Sequence, residues 1–150
     1  MGCSRTDNLL RLFHRLFFSP DHQRPKCLAF LFGYARLCSI LRQAAEKGIA
    51  LPEYNADDAA LLKEPEEIRL LKTLSTFPTV IESSALELAP HKFIYYLMEL
   101  AGQLHSYYNK HKVITDDLAL TRARLCLIVA IRVVLKNGLL MVGLTAPEKM

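Results

Sequence analysis

The sequence lacks the short motifs that mark common catalytic and metal sites. Its six glycines are scattered, so no glycine-rich phosphate-binding loop is present. Its five histidines form no H-E-x-x-H pair, and its four cysteines, at positions 3, 27, 38 and 126, form no C-x-x-C pair. This spacing argues against a zinc site and a dense disulfide scaffold and favours the reducing cytoplasm. We therefore expect no metal site and no catalysis by this chain alone.

Long apolar runs are absent as well. Lysine or arginine interrupts every apolar stretch before it reaches the about 20 residues that span a membrane, so we expect no membrane partner. Glycine and proline are few, at 6 and 7 of 150 residues, while 51% of the residues are hydrophobic and 23% are charged. This composition is typical of one globular domain and not of a disordered chain.

Charge is distributed unevenly along the chain. Residues 1–47 carry eight basic and three acidic side chains, residues 48–90 carry three and eight, and residues 91–150 carry eight and four. A basic start and end around an acidic middle leave one basic surface if the fold brings the two ends together, and such a surface suits nucleic acid. Ordinary solvated charge on helix faces explains the same numbers, so both interpretations stay open here.

The hydrophobic pattern predicts an all-α helical bundle. Apolar residues recur every three or four positions, and no segment alternates with period two. Prolines favour helix starts and glycines favour helix ends. We predict four or five main helices: Lys26–Lys47 ended by Gly48, one from Pro65, one from Pro78, one from Pro90 to about Asn109, and Asp116–Asn137 ended by Gly138.

Two groups of side chains are candidates for nucleic-acid contacts. Among Tyr95, Tyr96 and Tyr107 we expect at least one exposed ring, which either stacks on bases or covers a helix contact. On a wheel of the last helix, the basic residues fall within an arc of about 160°: Arg122, Arg124, Arg132 and Lys136. Such a face is typical of a helix that binds phosphates. It is equally typical of a helix at the edge of the core, whose basic side chains lay their aliphatic parts along apolar surface. Arg124 is alternatively a structural ion-pair partner.

Several segments form a recognisable series: A-R-L-C-S-I-L-R-Q-A at 35–44, E-P-E-E at 64–67, Y-L-M-E-L-A at 96–101, T-R-A-R-L at 121–125, V-L-K-N-G-L at 134–139 and A-P-E-K-M at 146–150. In this order they resemble the C-terminal anticodon-binding domain, of the DALR type, of arginyl-tRNA synthetases. The resemblance implies a helical bundle of the class I aminoacyl-tRNA synthetase anticodon-binding type. It also implies arginine tRNA as the partner, bound at its anticodon loop.

The resemblance divides the chain into a divergent segment, 1–26, and the bundle, 27–150. The family usually reads close to N-P-V-x-Y-V-Q-Y-A-H before the A-R motif, and this sequence has P-K-C-L-A-F-L-F-G-Y at 25–34. Phe32 then stands for the family's aromatic residue and Tyr34 for its histidine. A truncated or rearranged gene is our hypothesis for the unmatched first residues.

The resemblance also supplies candidate tRNA-binding residues. The class I signatures H-I-G-H and K-M-S-K-S are absent, so ATP would belong to a catalytic domain missing from this chain, and we expect no cofactor here. The candidates are Phe32, Tyr34 and Arg36 on the first long helix, Tyr107 and Tyr108 for stacking, Arg122, Arg132 and Lys136 for phosphates, and Lys149 and Met150 for the loop. The alternative is a remnant or protein-interaction domain that docks on a partner, such as a catalytic domain supplied in trans.

Overall fold

The structure, a computed structural model, describes residues 24–50 and 55–143, with side chains from residue 32 onward. These residues form six helices: α1 Arg24–Glu46, α2 Ala56–Ala59, α3 Pro65–Ser75, α4 Phe77–Leu86, α5 Pro90–Lys110 and α6 Leu118–Met141. The described ranges contain no β-strand, so the all-α prediction is confirmed. Within the same ranges no helix is both long enough and apolar enough to cross a membrane.

The helix starts follow the local sequence signals. Pro65 and Pro90 are the first residues of α3 and α5, as predicted, and α4 begins at Phe77, one residue before the predicted Pro78. A proline at a helix start loses nothing, because the first N–H groups have no partner within the helix. At α6 the Asp117 carboxylate Oδ1 accepts hydrogen bonds from the N–H groups of Ala119 and Leu120, at 2.9 and 3.2 Å.

The end of α1 is also as predicted. Gly48 adopts a left-handed conformation with φ of 72°. Its N–H donates to the carbonyl of Ala45, and the N–H of Ile49 donates to the carbonyl of Ala44. Glycine tolerates this conformation because it has no Cβ, and the two bonds satisfy carbonyls that the helix leaves open.

The end of α6 differs from the prediction. Helix α6 continues through Gly138 to Met141, and the left-handed glycine after it is Gly143, with φ of 74°. A Cβ at Gly138 would lie 2.5 Å from Cδ2 of the buried Leu97 on α5. The prediction that Gly138 ends the helix was wrong because this glycine, within α6, leaves room for the Leu97 side chain.

Helix α5 lies at the centre of the bundle. It packs against α1, α3 and α4, while α6 packs against α1, α2 and α3. The predicted apolar stripe of α5 faces the core, with four members buried and two half-buried: Ile94, Leu97, Ala101 and Leu104, then Met98 and Tyr108. One side of α5 therefore meets α1 and the other meets α3 and α4.

Candidate nucleic-acid interface

An aromatic and basic surface lies where α1 crosses the second half of α5. We call it the α1–α5 face and define it by Phe32, Arg36, His105 and Tyr108. The guanidinium carbon of Arg36 lies 4.4 Å from the centroid of the Tyr108 ring. Phe32 is 56% exposed, and it lines an open cavity of about 380 Å³ together with Arg36 and His105.

The α1–α5 face has the chemistry that unpaired bases require. Aromatic rings and guanidinium planes offer surfaces on which bases stack, and a cation over a ring strengthens the platform. No carboxylate belongs to this face or to the described lining of its cavity. His105 Nε2 lies 3.1 Å from the Asn109 side-chain nitrogen, which orients the imidazole ring at the edge of the cavity. The face can therefore hold a flat, electron-rich group beside a negative charge.

Two of the predicted tRNA-binding residues lie elsewhere. Tyr34 is buried on the inner side of α1, and Tyr107 is fully buried between α5, α3 and α6. The Tyr107 hydroxyl donates to Glu67 Oε1 at 3.3 Å, and burial raises the pKa of this phenol well above its ordinary value. Because both rings are enclosed by protein, they offer no face to a base, and we leave both out of the interface.

Arg124 belongs to the same buried network. Its Nε donates to Glu67 Oε1 at 2.8 Å, and its Nη1 donates to the carbonyl of Lys112 at 2.8 Å. Glu67 Oε2 accepts the N–H of Glu64 at 3.2 Å, at the start of α3. The alternative role of Arg124 as a structural ion-pair partner is confirmed, since the pair joins α3 to α6 inside the core.

The remaining basic residues of α6 do not form one face with Arg124. Arg122 points outward, with Nε 3.3 Å from Asp58 Oδ2 on α2. Arg132 is half-buried and Lys136 is exposed. On the wheel Arg124 lies near the middle of the buried arc, so the basic residues of α6 are divided between core and solvent. Phosphate contacts by Arg122, Arg132 and Lys136 stay predictions.

The acidic middle of the chain neutralises part of the basic end. Glu66 on α3 accepts a hydrogen bond from Lys110 and lies 3.3 Å from His111 Nε2. The Lys110 ammonium, chiefly, lowers the pKa of Glu66 to about 2. Glu64, Glu66 and His111 are also a group of potential metal ligands, with one atom from each within 4.8 Å of the others. Both Glu66 oxygens already have partners, so we assign this cluster to an ion-pair network.

A groove on the opposite side of α5 carries charges of both signs. Its lining includes Lys72, Lys92, Tyr95 and Glu99. Tyr95 is 61% exposed, which confirms the expectation that at least one of the three tyrosines reaches the surface. Tyr96 is buried, its hydroxyl donates to the carbonyl of Thr73 at 2.9 Å, and burial raises its pKa to about 12. The mixed charge makes this groove a weaker site for a polyanion than the α1–α5 face.

Several predictions fall on residues beyond the described ranges. Lys149 and Met150 lie outside them, and so does nearly all of the segment 1–26. Their proposed roles, and the boundary between 1–26 and 27–150, therefore stay predictions.

Comparisons with known proteins agree with this architecture. The family model for the DALR anticodon binding domain matches residues 30–150. An arginine–tRNA ligase from Desulfotalea psychrophila is 63% identical over 119 residues, covering 79% of this chain and 22% of that protein. One from Desulforamulus reducens is 50% identical over 119 residues, covering 79% and 21%. The arginyl-tRNA synthetase of Thermus thermophilus superposes with a TM-score of 0.68 at 31% identity, covering 81% of this chain and 20% of that one.

The fold and the exposed face together define an all-helical domain with an aromatic and basic surface. The chain belongs to the DALR anticodon binding domain family. The family and the fold predicted from the motifs are thereby confirmed. The chain spans about a fifth of the length of the curated relatives it matches.

Proposed function

We propose that this domain binds the anticodon loop of arginine tRNA and forms the C-terminal part of an arginine–tRNA ligase. The family match and the name of the relatives support this proposal. ATP-dependent charging then belongs to a catalytic domain that this sequence does not include, in the same polypeptide or supplied in trans. The domain takes part in protein biosynthesis in the cytoplasm, and it needs no cofactor or metal of its own.

The contact between Arg36 and Tyr108 is the observation that carries the proposal. The guanidinium already lies over the ring, 4.4 Å from its centroid, so the stacking platform exists before RNA arrives. Stacking one base on an aromatic side chain contributes about 1–3 kcal/mol. Proteins read single-stranded RNA loops in this way, because unpaired bases are free to leave the helix stack. Phe32 and His105 extend the platform along the same cavity.

A binding titration tests the proposal. The 150-residue chain is titrated with an arginine tRNA transcript and with a copy whose anticodon is scrambled, each at about 50 and about 200 mM salt. We expect tight binding that weakens at higher salt, because phosphate contacts release counterions. We also expect weaker binding of the scrambled copy. Equal, weak binding of the two RNAs contradicts anticodon recognition.

The second candidate function is a protein-interaction domain that no longer binds tRNA. The corner between α4 and α5 favours it, since Leu86 and Leu88 are exposed there and Leu88 is 88% accessible. Leu88 also adopts a φ of 51°, which a non-glycine residue adopts at a cost. Salt-independent association with a protein, together with equal and weak RNA binding, supports this candidate over the first.

A further inference from the structure

A second cavity lies beside the α1–α5 face, between the C-terminal half of α1 and the loop that follows α5. It has a volume of about 330 Å³. Its polar lining comes from Gln43 on α1, Lys47 directly after α1, Tyr108 on α5, and His111 and Lys112 on the loop. We call it the Lys47–Lys112 groove. Tyr108 is the one residue of this described lining that the family resemblance indicates as a candidate for tRNA binding.

The Lys47–Lys112 groove is positively charged. None of its described lining residues is a carboxylate. Lys47 and Lys112 are both exposed, and neither forms an ion pair with any residue in the described ranges. Glu66, which lies beside His111 of the lining, is also paired with Lys110. Two ammonium groups therefore face the groove without a neutralising partner from the helices around it.

Hydrogen bonds and ring stacking fix the main chain of the loop that lines the groove. Arg124 Nη1 donates to the carbonyl of Lys112 at 2.8 Å, from inside the core. The His111 ring stacks on the Tyr107 ring with centroids 5.3 Å apart, and the His111 N–H donates to the carbonyl of Tyr107 at 2.9 Å. Because the main chain is fixed on both sides of the Lys112 Cα, its ammonium group is presented from a rigid base.

The groove is continuous with the α1–α5 face. At 100° per residue, the five side chains of α1 and its C-terminal end that line the two cavities fall within about 80° on the helix surface: Phe32, Arg36, Ile40, Gln43 and Lys47. Arg36 and Lys47 are separated by about 16 Å along the axis. The contact between Arg36, which lines the cavity of the α1–α5 face, and Tyr108, which lines the groove, joins the two sites. A stacked strand rises about 3.4 Å per nucleotide, so the distance from Arg36 to Lys47 corresponds to about five nucleotides.

We propose that the Lys47–Lys112 groove binds the sugar–phosphate backbone of the RNA strand whose bases stack on the α1–α5 face. Lys47 and Lys112 contact phosphates, and Arg124 is a positioning residue that acts through the main chain of Lys112. The inference rests on the proposed function for the source of the RNA. It adds a site that reads backbone charge and not base sequence.

Neutral substitutions of the two lysines test the groove. The variants are Lys47→Gln, Lys112→Gln and the double variant. Lys72→Gln is the matched control, because Lys72 is an exposed lysine of α3 that lines the groove on the opposite side of α5. Affinity for a fluorescein-labelled arginine tRNA transcript is measured between about 50 and about 200 mM salt. Each lost contact to a single strand removes about 0.7 from the slope of log affinity against log salt, or about 2.6-fold over this range.

Raising the salt from about 50 to about 200 mM weakens binding by some factor in the unaltered chain. We expect this factor to be about sevenfold smaller in the double variant. The Lys72→Gln control should follow the unaltered chain, and all variants should keep its melting temperature. Discrimination against the scrambled anticodon should not change, because phosphates carry no sequence information. A double variant with the salt slope of the control overturns the groove.

The groove and the proposed function can fail separately. If the unaltered chain binds both RNAs equally but the double variant loses salt dependence, the groove stands and anticodon recognition fails. If the unaltered chain binds the scrambled copy more weakly and the double variant has the salt slope of the control, anticodon recognition stands and the groove fails. A chain that binds neither RNA at either salt concentration overturns both.

Discussion

The two sides of the bundle treat their charged residues differently. On the side formed by α2, α3 and α6, cations of the C-terminal half meet acids of the middle segment, as in Arg122 with Asp58 and Arg124 with Glu67. On the α1–α5 face, Arg36 lies on an aromatic ring and no carboxylate is among the described cavity residues. We call the first side closed, because ion pairs within the protein neutralise its cations. We call the α1–α5 face open, because its described cavity residues include no carboxylate.

This difference separates structural cations from cations available to a ligand. A buried arginine whose partner carboxylate is also buried stabilises the fold only as a pair, since either charge alone is costly to keep out of water. A cation on an exposed aromatic ring keeps its charge for a ligand. Net charge alone therefore does not locate the polyanion site, because the pairing pattern decides which charges remain.

The largest expected effect on stability comes from removing the buried cation of the closed side. Arg124→Leu leaves Glu67 buried without its cation, and we expect it to lower the free energy of unfolding by about 3–5 kcal/mol. Arg36→Leu on the open side should cost less than about 1 kcal/mol, since it removes only a cation–π contact at an exposed site. Urea denaturation of the three proteins measures both values.

A double variant checks the cause of that loss. Adding Glu67→Leu to Arg124→Leu removes the unpaired buried charge, so part of the lost stability should return. If Arg124→Leu costs no more than Arg36→Leu, the distinction between the two sides is wrong.

The second prediction concerns RNA affinity on the open side. Tyr108→Ala removes the ring beneath Arg36, and we expect it to weaken binding of arginine tRNA by about 1–3 kcal/mol. Tyr95→Ala is the matched control, because it removes a more exposed tyrosine from the opposite side of α5. Its affinity should equal that of the unaltered chain. Equal losses in the two variants, measured by fluorescence anisotropy, would place RNA outside the α1–α5 face.

The third prediction compares two glycines. Gly138→Ala puts a methyl group against the buried Leu97, and crowding of this kind costs about 1–3 kcal/mol, so we expect a net loss of about 1–2 kcal/mol in unfolding free energy. Gly102→Ala on α5 meets no atom within 4 Å and should gain about 0.5–1 kcal/mol from helix propensity. Thermal unfolding of both variants checks the opposite signs. Two stabilising substitutions would show that α5 and α6 do not need a glycine at their contact.

The smallest expected effect is the acid dependence of the Glu66 ion pair. The folded pKa of about 2 lies below the ordinary 4.5, so the stabilisation by ionised Glu66 is complete above about pH 4.5 and is lost as pH falls toward 2. The stability difference between the unaltered chain and Glu66→Gln should therefore be constant above about pH 5 and shrink below it. Urea denaturation at a series of pH values measures this difference. A difference that stays constant down to pH 2 contradicts the assigned cause.

Much of the fold could be predicted from the sequence because its signals are local. Proline, glycine and apolar periodicity indicated the helices, and the main error, at Gly138, arose because a glycine that ends a helix and one that packs against a neighbour look alike in sequence. The order of the motifs identified the family. The same resemblance pointed to Phe32, Arg36 and Tyr108, which the structure brings together on the α1–α5 face.

Other site residues could not be assigned from the sequence. Whether Tyr107 or Tyr108 is exposed depends on the position of α3, which brings Glu67 to the Tyr107 hydroxyl from 40 residues away. The inward direction of Arg124 depends on the same carboxylate. Lys47 was missed, although its spacing from Phe32 and Arg36 places all three on one stripe of α1 and a wheel of that helix would have shown it.

The central claim is that RNA meets the α1–α5 face and not the groove of mixed charge on the opposite side of α5. The most direct test is an NMR titration of the isotope-labelled 150-residue chain with the anticodon stem-loop of arginine tRNA. We predict that side-chain signals of Phe32, Arg36 and Tyr108 shift, while those of Lys92 and Tyr95 in that groove stay unchanged. Shifts confined to Lys92 and Tyr95, with Arg36 and Tyr108 unaffected, would contradict this account.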